Sequence, residues 1–169
     1  VDALSPGKPA VLIGHDWGAV AAFAAAAKSP ERVSHLVTMA VPHIAALAQH
    51  LSNPAQLKRS AYMAFFQIPG VSDVALRAND LAMVEQLYRA WSPGYAFTPE
   101  EMKPVKAAIR PRVAEVLAYY RALRAPGALL GEARRLAFAP IRVPSMHVHG
   151  ADDGCIGIAC CEGAEAHYE

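Results

Sequence analysis

The sequence predicts an α/β fold in which a partial parallel sheet carries a helical cap inserted between strands. Three short apolar runs, Pro9–Gly14, Val33–Ala40 and Ser145–His149, have strand character. The alanine-rich segment after the first run reads as a helix. Residues 41–144, between the second and third runs, are far too many for a plain crossover, and their pattern is helical.

Taken in order, Pro9-Ala10-Val11-Leu12-Ile13-Gly14 ends in glycine, and the helix from Ala19 breaks at Ser29-Pro30. The second run holds β-branched Val33, Val37 and Thr38 and stops at Val41-Pro42, as a buried strand should. Residues 11–40 are then a βαβ unit, which implies a parallel sheet. Helices are expected over Ala55–Gln67, Asp80–Trp91, Pro99–Arg110, Arg112–Arg124 and Gly131–Ala137, with Thr98 as the N-cap of the third and proline in its first turn. The third strand follows Pro144 and is closed by Gly150. This divides the chain into a core βαβ unit (1–42), a helical cap (43–140) and a returning core strand with its turn (141–169).

With 54% hydrophobic and 18% charged residues, the chain has the material for a real core. The net charge is +1 and the 16 Lys and Arg form no stripe that could follow a phosphate backbone, so nucleic acid is not an expected partner. The longest apolar stretch, Trp17–Ala27, falls well short of the roughly 20 residues that span a bilayer. The first residues show neither a basic start with an apolar block nor a small-residue cleavage site. Cys155, Cys160 and Cys161 are an odd, clustered set, which argues against a disulfide framework and for a reducing, cytoplasmic setting with ordinary buried thiols. No cofactor and no metal are expected. The adjacent Cys160 and Cys161 lack the spacing of a zinc site, and His147 and His149, alternating on one strand face, have no third ligand near them in sequence.

The chemistry concentrates at Gly14-His15-Asp16-Trp17-Gly18, which fits Gly-x-nucleophile-x-Gly at a strand-to-helix junction. In so tight a turn glycine is expected on both flanks. The central residue is lifted to the carboxyl end of the sheet, at the positive end of the following helix, where an anion is favoured. A carboxylate there is ionised at neutral pH and attacks an sp³ carbon without a base to activate it. The resulting ester needs an activated water, with backbone N–H groups, among them that of Trp17, for its oxyanion. The competing reading of Asp16 is a helix N-cap.

The same five residues resemble the elbow of epoxide hydrolases and haloalkane dehalogenases, two branches of one α/β-hydrolase family. The resemblance implies a helical cap after the sixth strand and an acid, in a Gly-x-x-Asp turn after the seventh, that orients a catalytic histidine. Gly150-Ala151-Asp152-Asp153 matches that turn, which makes Asp153 the acid, with Asp152 as its alternative and a plain solvated turn as the competing reading. His15 sits beside the nucleophile and points away from it, and is expected to support the oxyanion and substrate-binding site, to which Trp17 and Phe66 also belong.

The two branches part at the leaving group: an epoxide releases an alkoxide that needs a proton donor, whereas a halide needs only N–H groups. Ser60-Ala61-Tyr62-Met63-Ala64-Phe65-Phe66-Gln67-Ile68-Pro69-Gly70 resembles the epoxide-hydrolase segment in which a tyrosine precedes a Phe-Gln-x-Pro-Gly turn, which implies Tyr62 as one donor. Leu117-Ala118-Tyr119-Tyr120-Arg121 is similar to the segment with the second, Tyr120, with Tyr119 as fallback. Met63, Phe65 and Phe66 are expected to line the substrate cleft or the cap core. The halide alternative would rest on Trp17, which both branches share, and on Trp91, which reads as a cap anchor.

The family pattern extends past both ends of the chain. The His-Gly-x-Pro oxyanion segment is not in it, and of residues 154–169 only His167 is a histidine, in a helical rather than a Gly-His loop context. The expectation is therefore a fragment or natural truncation whose partners are a small apolar epoxide and water. An open sheet edge would also allow a homodimer. The alternative of another class is a non-catalytic α/β module that keeps the elbow without turnover.

Overall fold

In the computed structural model, which describes residue 3, residues 5–124 and residues 131–169, strands β1 (Ala10–His15), β2 (Val33–Met39) and β3 (Ser145–Val148) form a parallel sheet in the order β1-β2-β3. Helix α1 (Trp17–Lys28) connects the first two strands, as the βαβ reading requires. Residues 1, 2, 4 and 125–130 lie outside the described set, so the reading of the extreme amino terminus falls partly beyond it. The described residues divide into two units, one within Val1–Asn53, Leu130–Ala151 and Ile156–Glu169, the other within Pro54–Leu129 and Asp152–Cys155.

In the sheet unit, α1 lies on one face. Its Ala19, Ala22, Phe23 and Ala26 pack with Val33, Leu36, Ile141 and Val143 in a continuous buried cluster. Small side chains on α1 allow this close approach to the strands, with Phe23 filling the remaining space. Helix α2 (Ile44–His50) belongs here too, as does α8 (Glu132–Ala137), whose Glu132 pairs with Lys28 of α1. On the opposite face Val11, Ile13, Met146 and Val148 are exposed. Both outer strands, β1 and β3, pair on one side only among the described residues.

The helical unit contains α3 (Pro54–Arg59), α4 (Ala61–Phe65), α5 (Val71–Trp91), α6 (Pro99–Ile109) and α7 (Val113–Ala122). The N-cap expected at Thr98 is present, and the structure completes it as a capping box: Glu101 donates its N–H to Thr98 Oγ1 at 3.3 Å, and Thr98 donates its own to Glu101 Oε2 at 2.7 Å. Two expectations change. The single helix over 55–67 is broken at Ser60, which sits at φ −87°, ψ 2°, in the bridge region between helix and strand. The helix expected from Asp80 is preceded by a further helical stretch that begins at Val71, where Gly70 adopts φ 76° and its N–H is taken by Asp73 Oδ2 at 2.9 Å. A kink at 78–81, where Asn79, Asp80 and Leu81 turn left-handed, separates that stretch from the expected helix, which runs on to Trp91. Phe66, Leu76, Leu81, Val84, Phe97, Met102, Val113 and Leu117 form the unit's own core. Among the described residues no helix is long and apolar enough to cross a membrane.

Candidate active site

Asp16 occupies the single residue between β1 and α1 with φ 54° and ψ −124°, a conformation L-residues rarely adopt. Holding a non-glycine residue there costs on the order of 1–3 kcal/mol. Backbone bonds hold it there: Asp16 donates its N–H to the carbonyl of Met39 on β2 at 3.2 Å, and its own carbonyl accepts from the N–H groups of Ala19 at 2.9 Å and Val20 at 3.4 Å. The side chain makes no capping bond to the helix. That counts against the N-cap reading, because a capping aspartate owes its preference to accepting an N–H from the first turn.

The flanking glycines are not equivalent. A Cβ on Gly14 would lie 2.4 Å from the carbonyl oxygen of Gly18 and 2.8 Å from Ala19 Cα, so only glycine fits. A Cβ on Gly18 would meet nothing within 4 Å. The expectation of glycine on both flanks is thus corrected to one: the close approach falls on the strand side of the turn. Asp16 and Trp17 are half-buried and His15 is exposed. The Trp17 amide belongs to the first turn of α1, at the positive end of a 12-residue helix.

In the helical unit the structure brings Tyr62, Tyr120 and Phe66 into one aromatic group. The rings of Tyr62 and Tyr120 are 5.7 Å apart and edge-on, and Phe66 lies 5.5 Å from the first and 5.0 Å from the second. Tyr120 is half-buried while Tyr119 is 62% exposed, which favours Tyr120 of the two. Trp91 packs on Tyr62 at 5.1 Å, as a core anchor would. The Tyr62 hydroxyl also lies 3.4 Å from Cys155 Sγ.

Gln67 and Arg121, which belong to the two tyrosine segments, have structural roles that the sequence did not reveal. Gln67 Nε2 donates to the backbone carbonyl of Tyr120 at 2.8 Å, tying the two tyrosine segments together. Arg121 donates Nε to the carbonyl of Phe66 at 3.1 Å, bonds Ser72 Oγ at 2.9 Å and pairs with Asp73. The Arg121 guanidinium, first of all through this hydrogen bond, holds the Asp73 carboxyl below the usual carboxylate range. Their signal was position: each lies one to five residues from a chosen tyrosine.

Asp153 is half-buried and its Oδ1 accepts the N–H of Cys155 at 2.7 Å, while Asp152 is exposed. The same turn contains a glycine that the sequence did not flag. Gly154 donates its N–H to the Trp91 carbonyl at 3.0 Å, and a Cβ on it would lie 1.9 Å from the Ala90 oxygen. Of the three cysteines only Cys160 is buried, which corrects the expectation of ordinary buried thiols; Cys155 and Cys161 are half-buried. His167 stacks on buried His43, ring centres 4.7 Å apart, in the sheet unit.

A family model for the alpha/beta hydrolase fold matches residues 1–159, and the chain belongs to that family. It is 33% identical over 119 residues to AB hydrolase superfamily protein YfhM of Bacillus subtilis, covering 68% of this chain and 41% of the relative. It is 32% identical over 122 residues to epoxide hydrolase 4 of Mus musculus, covering 72% of this chain and 32% of the relative. The chain therefore spans well under half the length of these curated relatives. A solved structure of a mutant epoxide hydrolase from Bacillus megaterium superposes with a TM-score of 0.71 at 22% identity, over 95% of this chain and 58% of that one, which establishes the shared fold.

Proposed function

We propose that this chain carries the nucleophile and cap of an epoxide hydrolase-type enzyme. The observation that carries the reading is Asp16 itself: a carboxylate on a strained elbow, with no capping bond to account for it. In the proposed reaction an Asp16 oxygen attacks an epoxide carbon, the carbon–oxygen bond of the ring breaks, and Tyr62 and Tyr120 donate hydrogen bonds and a proton to the departing alkoxide. A hydroxyalkyl ester results. Water activated by a histidine, which Asp153 would orient, then attacks the ester carbonyl, with the Trp17 N–H on the oxyanion. No histidine among the described residues is assigned that role.

The paired tyrosines favour an epoxide over a halide, since a halide leaves without a proton. Several relatives whose names identify them as epoxide hydrolases support the same choice. The test is intact-mass analysis of the chain after incubation with a small aryl epoxide. A covalent adduct of the epoxide's mass on the wild type, lost in Asp16→Asn, is the expected result. An adduct of equal yield in both would remove Asp16 from the nucleophile's place.

A further inference from the structure

The face of the sheet covered by α1 carries a second constellation that the proposed hydrolysis does not use. His147 on β3, His149 just beyond it and Cys161 in the turn Ile158–Cys161 all belong to the sheet unit. One ligand atom from each lies within 4.8 Å of the other two. The third member was invisible in the sequence, because the chain runs away from the histidines and folds back before it supplies the thiol.

We infer that His147 Nε2, His149 Nδ1 and Cys161 Sγ form a binding site for one divalent metal ion of borderline softness, with Zn(II) the best match. Zinc bonds of roughly 2.0–2.1 Å to nitrogen and 2.3 Å to sulfur give tetrahedral edges of about 3.3 Å between two nitrogens and about 3.6 Å between nitrogen and sulfur. The observed separations are 3.2 Å between the two imidazole nitrogens and 3.7 Å between Cys161 Sγ and His147 Nε2. Thiolate and imidazole together select zinc and its neighbours over magnesium or calcium.

The outward nitrogens are held as ligand histidines require. His149 Nε2 lies 2.8 Å from the Ile156 carbonyl, which can only accept, so the proton of a neutral His149 sits there and the Nδ1 lone pair faces His147. His147 Nδ1 lies 2.9 Å from Thr38 Oγ1, and Thr38 is almost fully buried. Hydrogen bonds of this kind fix both tautomer and ring orientation at metal sites. Without metal, the inward nitrogens share a proton, His147 Nε2–H to His149 Nδ1. On binding, that proton moves to His147 Nδ1, facing Thr38, and the Cys161 thiol loses its own to solvent, so one proton is released per ion. Water would fill the fourth position.

Such an ion would clamp β3 to the turn at Ile158–Cys161. With sheet order β1-β2-β3, the site stands two strand spacings from the elbow, roughly 10 Å. It is therefore distinct from Asp16, and the inference does not depend on the proposed hydrolysis.

The test is titration of the purified chain with Zn(II) alone and Co(II) alone, followed by calorimetry and absorption. One ion per chain, one proton released and a thiolate-to-cobalt charge-transfer band in the near ultraviolet are expected. Cys161→Ser should abolish the band and Cys155→Ser should keep it. Thr38→Val, which preserves shape, should weaken zinc binding about 10- to 100-fold. Absence of the band in the wild type would overturn the site, as would a band that survives Cys161→Ser. The wild-type spectrum alone decides the matter should the variants fail to fold.

Discussion

At Asp16 the backbone does the holding, whereas at Tyr62 and Tyr120 side chains do it. In the sheet unit the candidate nucleophile is fixed by its left-handed φ, the bond from its N–H to Met39 and the absence of a Cβ at Gly14. In the helical unit the candidate donors sit on α4 and α7, and what aligns them is ring packing, Gln67 and the Arg121–Asp73 pair. A backbone-held group is specified by a few contiguous residues and tolerates little change there. A side-chain-held group is specified by residues scattered along the chain, each replaceable at moderate cost.

The largest expected effect concerns the tyrosines. If they are the proton donors, Tyr62→Phe combined with Tyr120→Phe leaves the packing intact and lowers the rate of epoxide adduct formation by about 10²- to 10⁴-fold, the usual contribution of general acid catalysis. Time-resolved intact mass would check this. An unchanged rate in the double variant would reduce the pair to core aromatics and weaken the epoxide reading against the halide one.

The next effect sharpens the contrast at the elbow itself. Gly14→Ala must displace the Gly18 carbonyl or Ala19, and overpacking of that kind costs about 1–3 kcal/mol, occasionally more. Gly18→Ala has open space and a helical position in which alanine is favoured by roughly 1 kcal/mol. Thermal denaturation should therefore show the two substitutions moving Tm in opposite directions. Equal destabilisation by both would mean that the turn is tight on its helix side as well.

The same contrast explains what was legible beforehand. The three strands, α1 and the elbow were readable because each is announced by contiguous residues: an apolar run, a glycine, a nucleophile between fixed neighbours. So was the start of α6, since Thr98 and Glu101 satisfy each other locally. The beginning of α5 was not. Val71 and Val74 on its first turns are exposed and carry no amphipathic signal, and the left-handed interruption at 79–81 has no glycine to mark it. Gly154 and Cys161 were equally silent, because the Ala90 carbonyl and the two histidines that give them meaning arrive only through tertiary folding. Gln67 and Arg121 were visible as letters of a pattern, but their hydrogen bonds to distant carbonyls were not.

The smallest effect tests a side-chain-held element inside the sheet unit, where α2 begins. Buried His43 lies 3.0 Å by Nε2 from the Ala139 carbonyl and accepts the Ala45 N–H on Nδ1 at 3.3 Å, so both ring nitrogens are committed in the neutral form. Burial, more than the neighbouring His167, holds its pKa below the ordinary 6.5, while the bond to Ala139 works in the other direction. Tyr168 meets the ring edge-on and is neutral in this range. Because the folded value is depressed, the unfolded chain takes up a proton below pH 6.5 that the native state resists. The associated stability is complete above that pH and is lost as pH falls from 6.5 through the folded value, with a slope of at most about 1.4 kcal/mol per pH unit. His147 is displaced in the same direction, chiefly by burial, and adds its own share. In chelator, Tm should therefore fall between pH 7 and pH 5, and His43→Gln, which keeps a donor and an acceptor but cannot titrate, should flatten that fall without abolishing it. An identical slope in the variant would show that His43 protonates as readily in the core as in water, and that α2 does not depend on its neutral cap.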